Sequence, residues 1–281
     1  MGATGRVDRA YALGSSEAEH ERLTRQAALL EGITERLFRE AGIGAGMRVL
    51  DVGCGAGDVA FLVAELVGRD GSVVGIDVDA AVLEVARGRA ELLGLRNVTF
   101  VHGDLHAPPV DGVFDAVVGR LVLMHVPDPA AALRAVAAHV RPGGVLAFLE
   151  LDQDPGTRSW SFPEGTSWDE VGRLVIETFA RAGAHVRMGR QLWGAFRAAG
   201  LPAPAMREEA LVGGGPGFPG YGWLVGVARS LSPLMRRLGV ADPDQLGLET
   251  LAARIRDDVV ARDAVVWTPP FVGAHARRSE G

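Results

Sequence analysis

Residues 49–57 read Val-Leu-Asp-Val-Gly-Cys-Gly-Ala-Gly, and no other stretch constrains the chain as strongly. A short apolar strand runs straight into a glycine-rich turn, and an apolar helical run from Val59 to Leu66 follows. Gly53, Gly55 and Gly57 let the backbone turn sharply and approach a ligand with no Cβ in the way. Strand, glycine turn and helix in that order make the nucleotide-binding turn of a βαβ unit. Asp51 changes the meaning of the turn. A pyrophosphate-binding Gly-x-Gly-x-x-Gly turn would put its third glycine at 58, where Asp58 stands. A carboxylate two residues before the first glycine also suits a cation better than a diphosphate.

Two further acids follow at strand ends. Residues 72–77 read as the next strand and end in Asp77, followed by Val78. An acid about 20 residues past the glycine turn, at the end of the second strand, accepts hydrogen bonds from ribose hydroxyls. Val98 to His102 reads as a third strand leading to Asp104, which can accept from an adenine amino group while Leu105 packs on the ring. A nucleoside with no phosphate and an ammonium at its far end fits this set, and S-adenosylmethionine is such a molecule. Beyond these lie Phe114 to Leu121 with Arg120 at the strand end, His125-Val-Pro-Asp128-Pro, and Val140-Arg-Pro-Gly-Gly144 before a strand ending in Glu150.

Together these motifs resemble the class I S-adenosylmethionine-dependent methyltransferases, in their small-molecule-modifying branch. The resemblance runs through residues 45–152 in ordered motifs and more loosely through the whole chain. It implies a doubly wound α/β fold with a seven-stranded sheet, the last strand antiparallel and the last two forming a hairpin at one sheet edge. It also places Arg120 beside the methionine half of the cofactor.

Composition narrows the remaining choices. The chain has 281 residues, 48% of them hydrophobic, enough for one large domain with an elaborated cap. No apolar run approaches the ~20 residues that span a bilayer, so no membrane partner is expected. A net charge of −6 argues against nucleic acid as the main partner. The Arg-rich helical runs, Arg87 with Arg89 and Arg254 with Arg256, are interleaved with acids and read as solvated faces. Cys54 is the one cysteine; it excludes an intrachain disulfide, fits a reducing cytoplasm and reads as a small packing residue. No Cys/His cluster has metal-ligand spacing.

The chain divides into three parts. Residues 1–46 form an N-terminal arm and helix expected to cover the cofactor. Ser16-x-x-Glu19 is a capping-box pattern opening an amphipathic helix over 16–41. Tyr11 stands in a short apolar island just before it and is expected to fold over the cofactor. The exposed helix could also mediate a homo-oligomer. Residues 47–212 and 264–281 form the methyltransferase core, with helices at 58–68, 79–94 and 128–139. Later helices are expected at 167–183 and 189–199, a strand at 205–212, and a closing edge strand beginning at Val265. Residues 213–263 form a helical cap insertion entered through a flexible break, Gly213-Gly-Gly-Pro-Gly-Phe-Pro-Gly220.

The implied reaction is transfer of the sulfonium methyl to a small apolar acceptor such as a secondary metabolite or a quinone-like molecule. Alignment and water exclusion do much of that work. A phenol, amine or carbon acceptor can also need a base. Glu150 and His125 are the better placed candidates, though a histidine before Val-Pro-Asp-Pro also suits a helix start. Trp160, Phe218 and Trp223 are expected to line the acceptor pocket. One alternative is a protein that binds S-adenosylmethionine but performs a rearrangement, a cyclisation or no methylation; its cofactor residues would be identical. An NAD(P)-dependent oxidoreductase using the same turn would lack the third glycine and the Tyr-x-x-x-Lys pair of hydride chemistry.

Overall fold

The computed structural model describes residues 17–154, 156, 157 and 159–280, with side chains from residue 29 onward. Tyr11 and most of the N-terminal arm lie outside these residues.

The elements alternate as the apolar periodicity predicts. Helix α1 (Glu17–Glu40) precedes β1 (Arg48–Val52), α2 (Asp58–Val67), β2 (Ser72–Asp77), α3 (Ala80–Leu92), β3 (Val98–His102) and β4 (Phe114–Arg120). A 3₁₀ turn (Leu123–His125), α4 (Pro129–Ala137) and β5 (Val140–Leu151) follow. Strands this rich in valine and leucine are buried on both faces, as a sheet covered by helices requires. Val49, Leu50 and Val52 of β1 and Val117 and Val118 of β4 are all inaccessible. The order is β3-β2-β1-β4-β5 and all four pairings are parallel. Chain direction across the sheet reverses between β1 and β4, the position at which open α/β sheets bind ligands.

The second half completes the sheet and builds over it. The elements are β6 (Ser161–Phe162), α5 (Ser167–Arg181), α6 (Met188–Ala198), β7 (Ala205–Glu209), β8 (Val212–Gly213), α7 (Gly220–Arg237), α8 (Pro243–Leu246), α9 (Leu248–Ala261), β9 (Val265–Trp267) and β10 (Phe271–Arg277). β10 runs antiparallel to both neighbours, β5 and β7, and gives the seven-stranded order β3-β2-β1-β4-β5-β10-β7. The expected closing edge strand is therefore two strands. It breaks at Pro269 and Pro270, which have no amide to give a ladder. The part before the break, β9, joins β6 and β8 in a separate antiparallel sheet. The part after it, β10, is interior, and β7 takes the edge.

Two other stretches are fixed by packing. Helix α1 is one. Its apolar side, Leu30, Ile33, Leu37 and Phe38, enters the core, and Leu37 lies against Gly273 of β10. The stretch 213–220 is not slack either. Gly213 pairs with Val266, the Tyr221 hydroxyl donates to the carbonyls of Gly214 and Gly215, and the Phe218 ring occupies the space a Cβ at Gly213 or Gly220 would need. Helices α7 and α9 pack together with α5, so residues before 213 also build this layer.

Candidate functional site

A cavity of about 410 Å³ opens at the carboxyl ends of β1, β2 and β4 and continues under α5 and α7. Its first half is polar, formed by Gly53 to Ala56, Asp58, Asp77, Val78 and Gly103 to His106. Its second half is an apolar chamber walled by Trp160, Trp168, Ile176, Phe179, Trp223 and Val227. Arg120, Leu121, Val122, Met124 and His125 line the passage between them.

The turn after β1 is built tightly. Gly53 has φ 66°, and a Cβ there would stand 2.4 Å from Cγ2 of Val122. The Gly55 amide donates to the Asp77 carboxylate at 2.9 Å, and the Asp79 amide donates to its other oxygen at 2.9 Å. Burial raises the Asp77 pKa, with these amides opposing the rise. Gly57 does not line the cavity. It starts α2 with φ 91°, and a Cβ there would strike the Phe61 ring at 2.6 Å, so this glycine serves helix packing. Asp58, in place of a third glycine, pairs with Arg89 of α3 at 2.7 Å, and Arg89 also donates to the Ala56 carbonyl at 2.7 Å. Arg89 thus holds the glycine turn from behind, a role its reading as a solvated face missed. Burial also pushes the Cys54 thiol well up, consistent with a packing residue.

Asp51 lies beneath the turn, not on the cavity wall. It is 1% exposed, and neither carboxylate oxygen has a hydrogen-bond partner. Burial drives its pKa well above the usual carboxylate range; the Arg120 guanidinium opposes that, and the Asp77 and Asp58 charges add to it. A buried carboxylate in this condition draws a proton or a cation. Asp104 is half open. Its Oδ1 accepts from the amide and ring nitrogen of His106, both at 2.9 Å. Burial raises its pKa, but the His106 contacts outweigh that and lower it.

Glu150 is not a base facing the cavity. It is fully buried and absent from the cavity wall. Its Oε1 accepts the amides of Val122 at 3.0 Å and Leu123 at 2.7 Å, and Oε2 meets the Met124 amide at 3.3 Å. Burial outweighs these donors and pushes its pKa up to about 8. Glu150 positions the turn that carries Val122, Met124 and His125. The turn needs such a clamp, because Leu121 has φ 55°, a costly conformation for a side chain branched beyond Cβ. His125 does line the passage, near the Phe179 ring with centroids 6.0 Å apart.

Trp160 and Trp223 line the chamber and Phe218 does not. Phe218 packs behind Trp168, with centroids 6.1 Å apart, and against Tyr221 at 5.4 Å. Trp168, Val175, Ile176 and Phe179 of α5 take the wall instead, together with Gln153, Leu224 and Val227. The helical spacing of the α5 residues marked a buried face, but not which cavity that face would meet. Among the described residues no His/Cys/Asp/Glu group could hold a metal ion, and no helix is long and apolar enough to cross a membrane.

Residues 43–182 match the methyltransferase domain family. A demethylmenaquinone methyltransferase of Staphylococcus aureus is 38% identical over 120 residues, 42% of this chain and 49% of the relative. The chain thus spans about half the length of the curated relatives it matches. Among solved structures, the YcgJ protein of Bacillus subtilis has a TM-score of 0.54 at 20% identity, over 88% of this chain and 98% of that one. The [4+2]-cyclase SpnF has a TM-score of 0.51 at 22% identity, over 89% and 80%. These two likenesses concern the fold alone, and a fold does not fix a reaction. The strand order, the glycine turn with its trailing acids, and the family match over 43–182 agree: the chain belongs to the class I S-adenosylmethionine-dependent methyltransferases.

Proposed function

We propose that this chain transfers the methyl group of S-adenosylmethionine to a small, largely apolar acceptor held between α5 and α7. One observation carries this reading: a half lined by the glycine turn and its trailing acids and an aromatic-walled half form a single cavity, joined at Arg120 to His125. The residues fit the cofactor. Asp51 is a buried carboxylate near Arg120, beneath the turn that would meet the amino-acid end of the cofactor. Gly53 and Gly55 leave room where a Cβ would collide, and Asp77, already fixed by two amides, has lone pairs left for ribose hydroxyls. Asp104 and Leu105 would receive the adenine, with Val78 beside it. Residues 213–263, with α5, would select the acceptor, and the N-terminal arm with Tyr11 would close over the cofactor.

When bound, the cofactor supplies an electrophilic sulfonium methyl with a good leaving group. The protein's part is alignment and exclusion of water. The tryptophan walls hold the acceptor's apolar body, and the turn clamped by Glu150 fixes the passage. His125, which lines the passage, would take a proton from an acceptor heteroatom. The test is incubation with methyl-labelled cofactor and a demethylated quinol, chosen because the Staphylococcus aureus relative is named for such a substrate. Label in the quinol supports the reading. Binding of S-adenosylhomocysteine without transfer to any of a panel of apolar phenols, quinols and amines would refute it.

A further inference from the structure

One wall of the chamber is a stripe of α5. Trp168, Gly172, Val175, Ile176 and Phe179 all line the cavity, and they recur at the three- and four-residue steps that share one face of a helix. Four of the five carry branched or aromatic apolar side chains. Gly172 stands within the stripe, four residues after Trp168 and four before Ile176, and has none. Among the described glycines on the cavity wall, it alone lies inside a helix.

Neither backbone nor packing requires a glycine here. The backbone is helical, so no left-handed conformation demands one. A Cβ at Gly172 would meet Cε3 and Cζ3 of the Trp160 ring at 3.4 and 3.5 Å, an ordinary contact, and nothing else outside its own helix within 4 Å. Gly189 of α6 is the contrast: a Cβ there would stand 2.7 Å from Val272 and 2.9 Å from Asp152, so packing demands that glycine. A glycine inside a helix destabilises it relative to alanine. Gly172 therefore weakens α5 without serving the fold.

We propose that Gly172 is a specificity-determining residue: its missing side chain leaves a notch in the α5 wall, beside the Trp160 ring, that sets how wide an acceptor the chamber admits. The word acceptor rests on the methyl-transfer reading, but the notch rests on the geometry of α5 and Trp160. Trp160 is 4% exposed, and its carbonyl accepts the Trp267 amide at 3.0 Å. A side chain grown from position 172 would therefore take its room from the chamber and not from Trp160. Trp168 and Ile176 bound the notch along the helix, so an apolar ring system broader than a single ring is what fills it. An apolar pocket discriminates by such small differences in volume, one methylene at a time.

The test uses the full chain, with and without saturating S-adenosylhomocysteine, and two probes of like chemistry and different width, phenol and naphthol, in equilibrium dialysis. The wild type should bind naphthol at least roughly tenfold more tightly than phenol, the scale on which apolar pockets discriminate. Gly172→Ala should shrink that preference and Gly172→Val should abolish it, with phenol affinity near wild type in both. Melting curves separate this from a packing role. Gly172→Ala should melt higher than wild type, because alanine is the better helix former and its methyl meets only an ordinary contact. Gly194→Ala, on the exposed side of α6 with nothing near the added Cβ, should also melt higher and keep the wild-type preference. A Gly172→Ala variant that melts lower than wild type, a naphthol-to-phenol ratio that both substitutions leave unchanged, or a wild type without the preference would overturn the proposal. A wild type that binds no S-adenosylhomocysteine yet shows the width selection would sink the methyl-transfer reading and leave the notch standing.

Discussion

The Asp169 carboxylate of α5 accepts the backbone amide of Trp160 at 2.6 Å, nine residues back along the chain. It also takes the hydroxyls of Ser159 and Ser161 and the amides of Gly165 and Thr166. Burial alone would raise its pKa, but these donors together lower it. One carboxylate therefore folds the loop that places the Trp160 ring against the chamber.

Asp169→Asn should separate acceptor binding from cofactor binding. The new amide turns a donor toward the donors already there, leaving about 1–3 kcal/mol of unpaired polar cost. The melting temperature should fall, and naphthol affinity with it, because Trp160 loses its anchor. Calorimetry should find S-adenosylhomocysteine affinity unchanged, since the hydrogen bonds Asp169 accepts all come from residues 159–166. Equal losses for both ligands would contradict the division of the cavity.

Removing the Asp77 carboxylate has the opposite signature. Hydrogen bonds to a charged acceptor contribute about 1.5–3 kcal/mol each, so Asp77→Ala should weaken S-adenosylhomocysteine at least roughly tenfold. Asp77→Asn keeps one acceptor oxygen and should lose less. An unchanged dissociation constant in the alanine variant would place the ribose elsewhere.

Glu150 makes a pH prediction with a definite sign. Its folded pKa of about 8 exceeds the reference 4.5, so the folded protein holds a proton that the unfolded chain releases between these values. Its contribution to stability is complete below 4.5 and is lost as pH rises to 8, amounting to roughly 4–5 kcal/mol. Glu150→Gln keeps the Oε1 acceptor and puts its amide nitrogen at the weakest contact, that with Met124. Urea unfolding at pH 5 and pH 8 should show wild type losing much more stability than the glutamine variant. Parallel slopes would mean that the carboxyl is not held neutral.

Gly53→Ala tests the turn itself. The left-handed backbone and the 2.4 Å approach to Val122 should together cost about 1–3 kcal/mol. Shrinking the neighbour, as Gly53→Ala with Val122→Ala, should recover part of the cofactor affinity if the clash matters beyond strain. A single variant that binds S-adenosylhomocysteine as wild type would remove the turn from the site.

Local signals carried well into the core. The glycine turn, Asp77 and the strand-helix alternation are short-range patterns, and each takes its place at the switch point between β1 and β4. What failed to read was long-range. Glu150 and His125 look alike as polar residues at the end of a strand or a turn, yet one is sealed behind the passage and the other faces it. Arg89 looked like one more charge on an exposed helix, and its partner Asp58 lies 31 residues away. Phe218 and Trp168 could not be told apart as wall and backing until α5 and α7 were packed.

The broken strand at Pro269 has a kinetic consequence. Only three residues, 268–270, separate the small sheet from the main one, and Thr268 is bound to Leu211 in both directions, at 2.9 Å and 3.0 Å. Trp267 in turn donates to the Trp160 carbonyl at 3.0 Å. A roof strapped this closely to its floor has no slack with which to swing as a rigid plate. Molecules bound in the chamber would instead come and go through the open half of the cavity, past Arg120 to His125, so whatever fills that half would set their residence time.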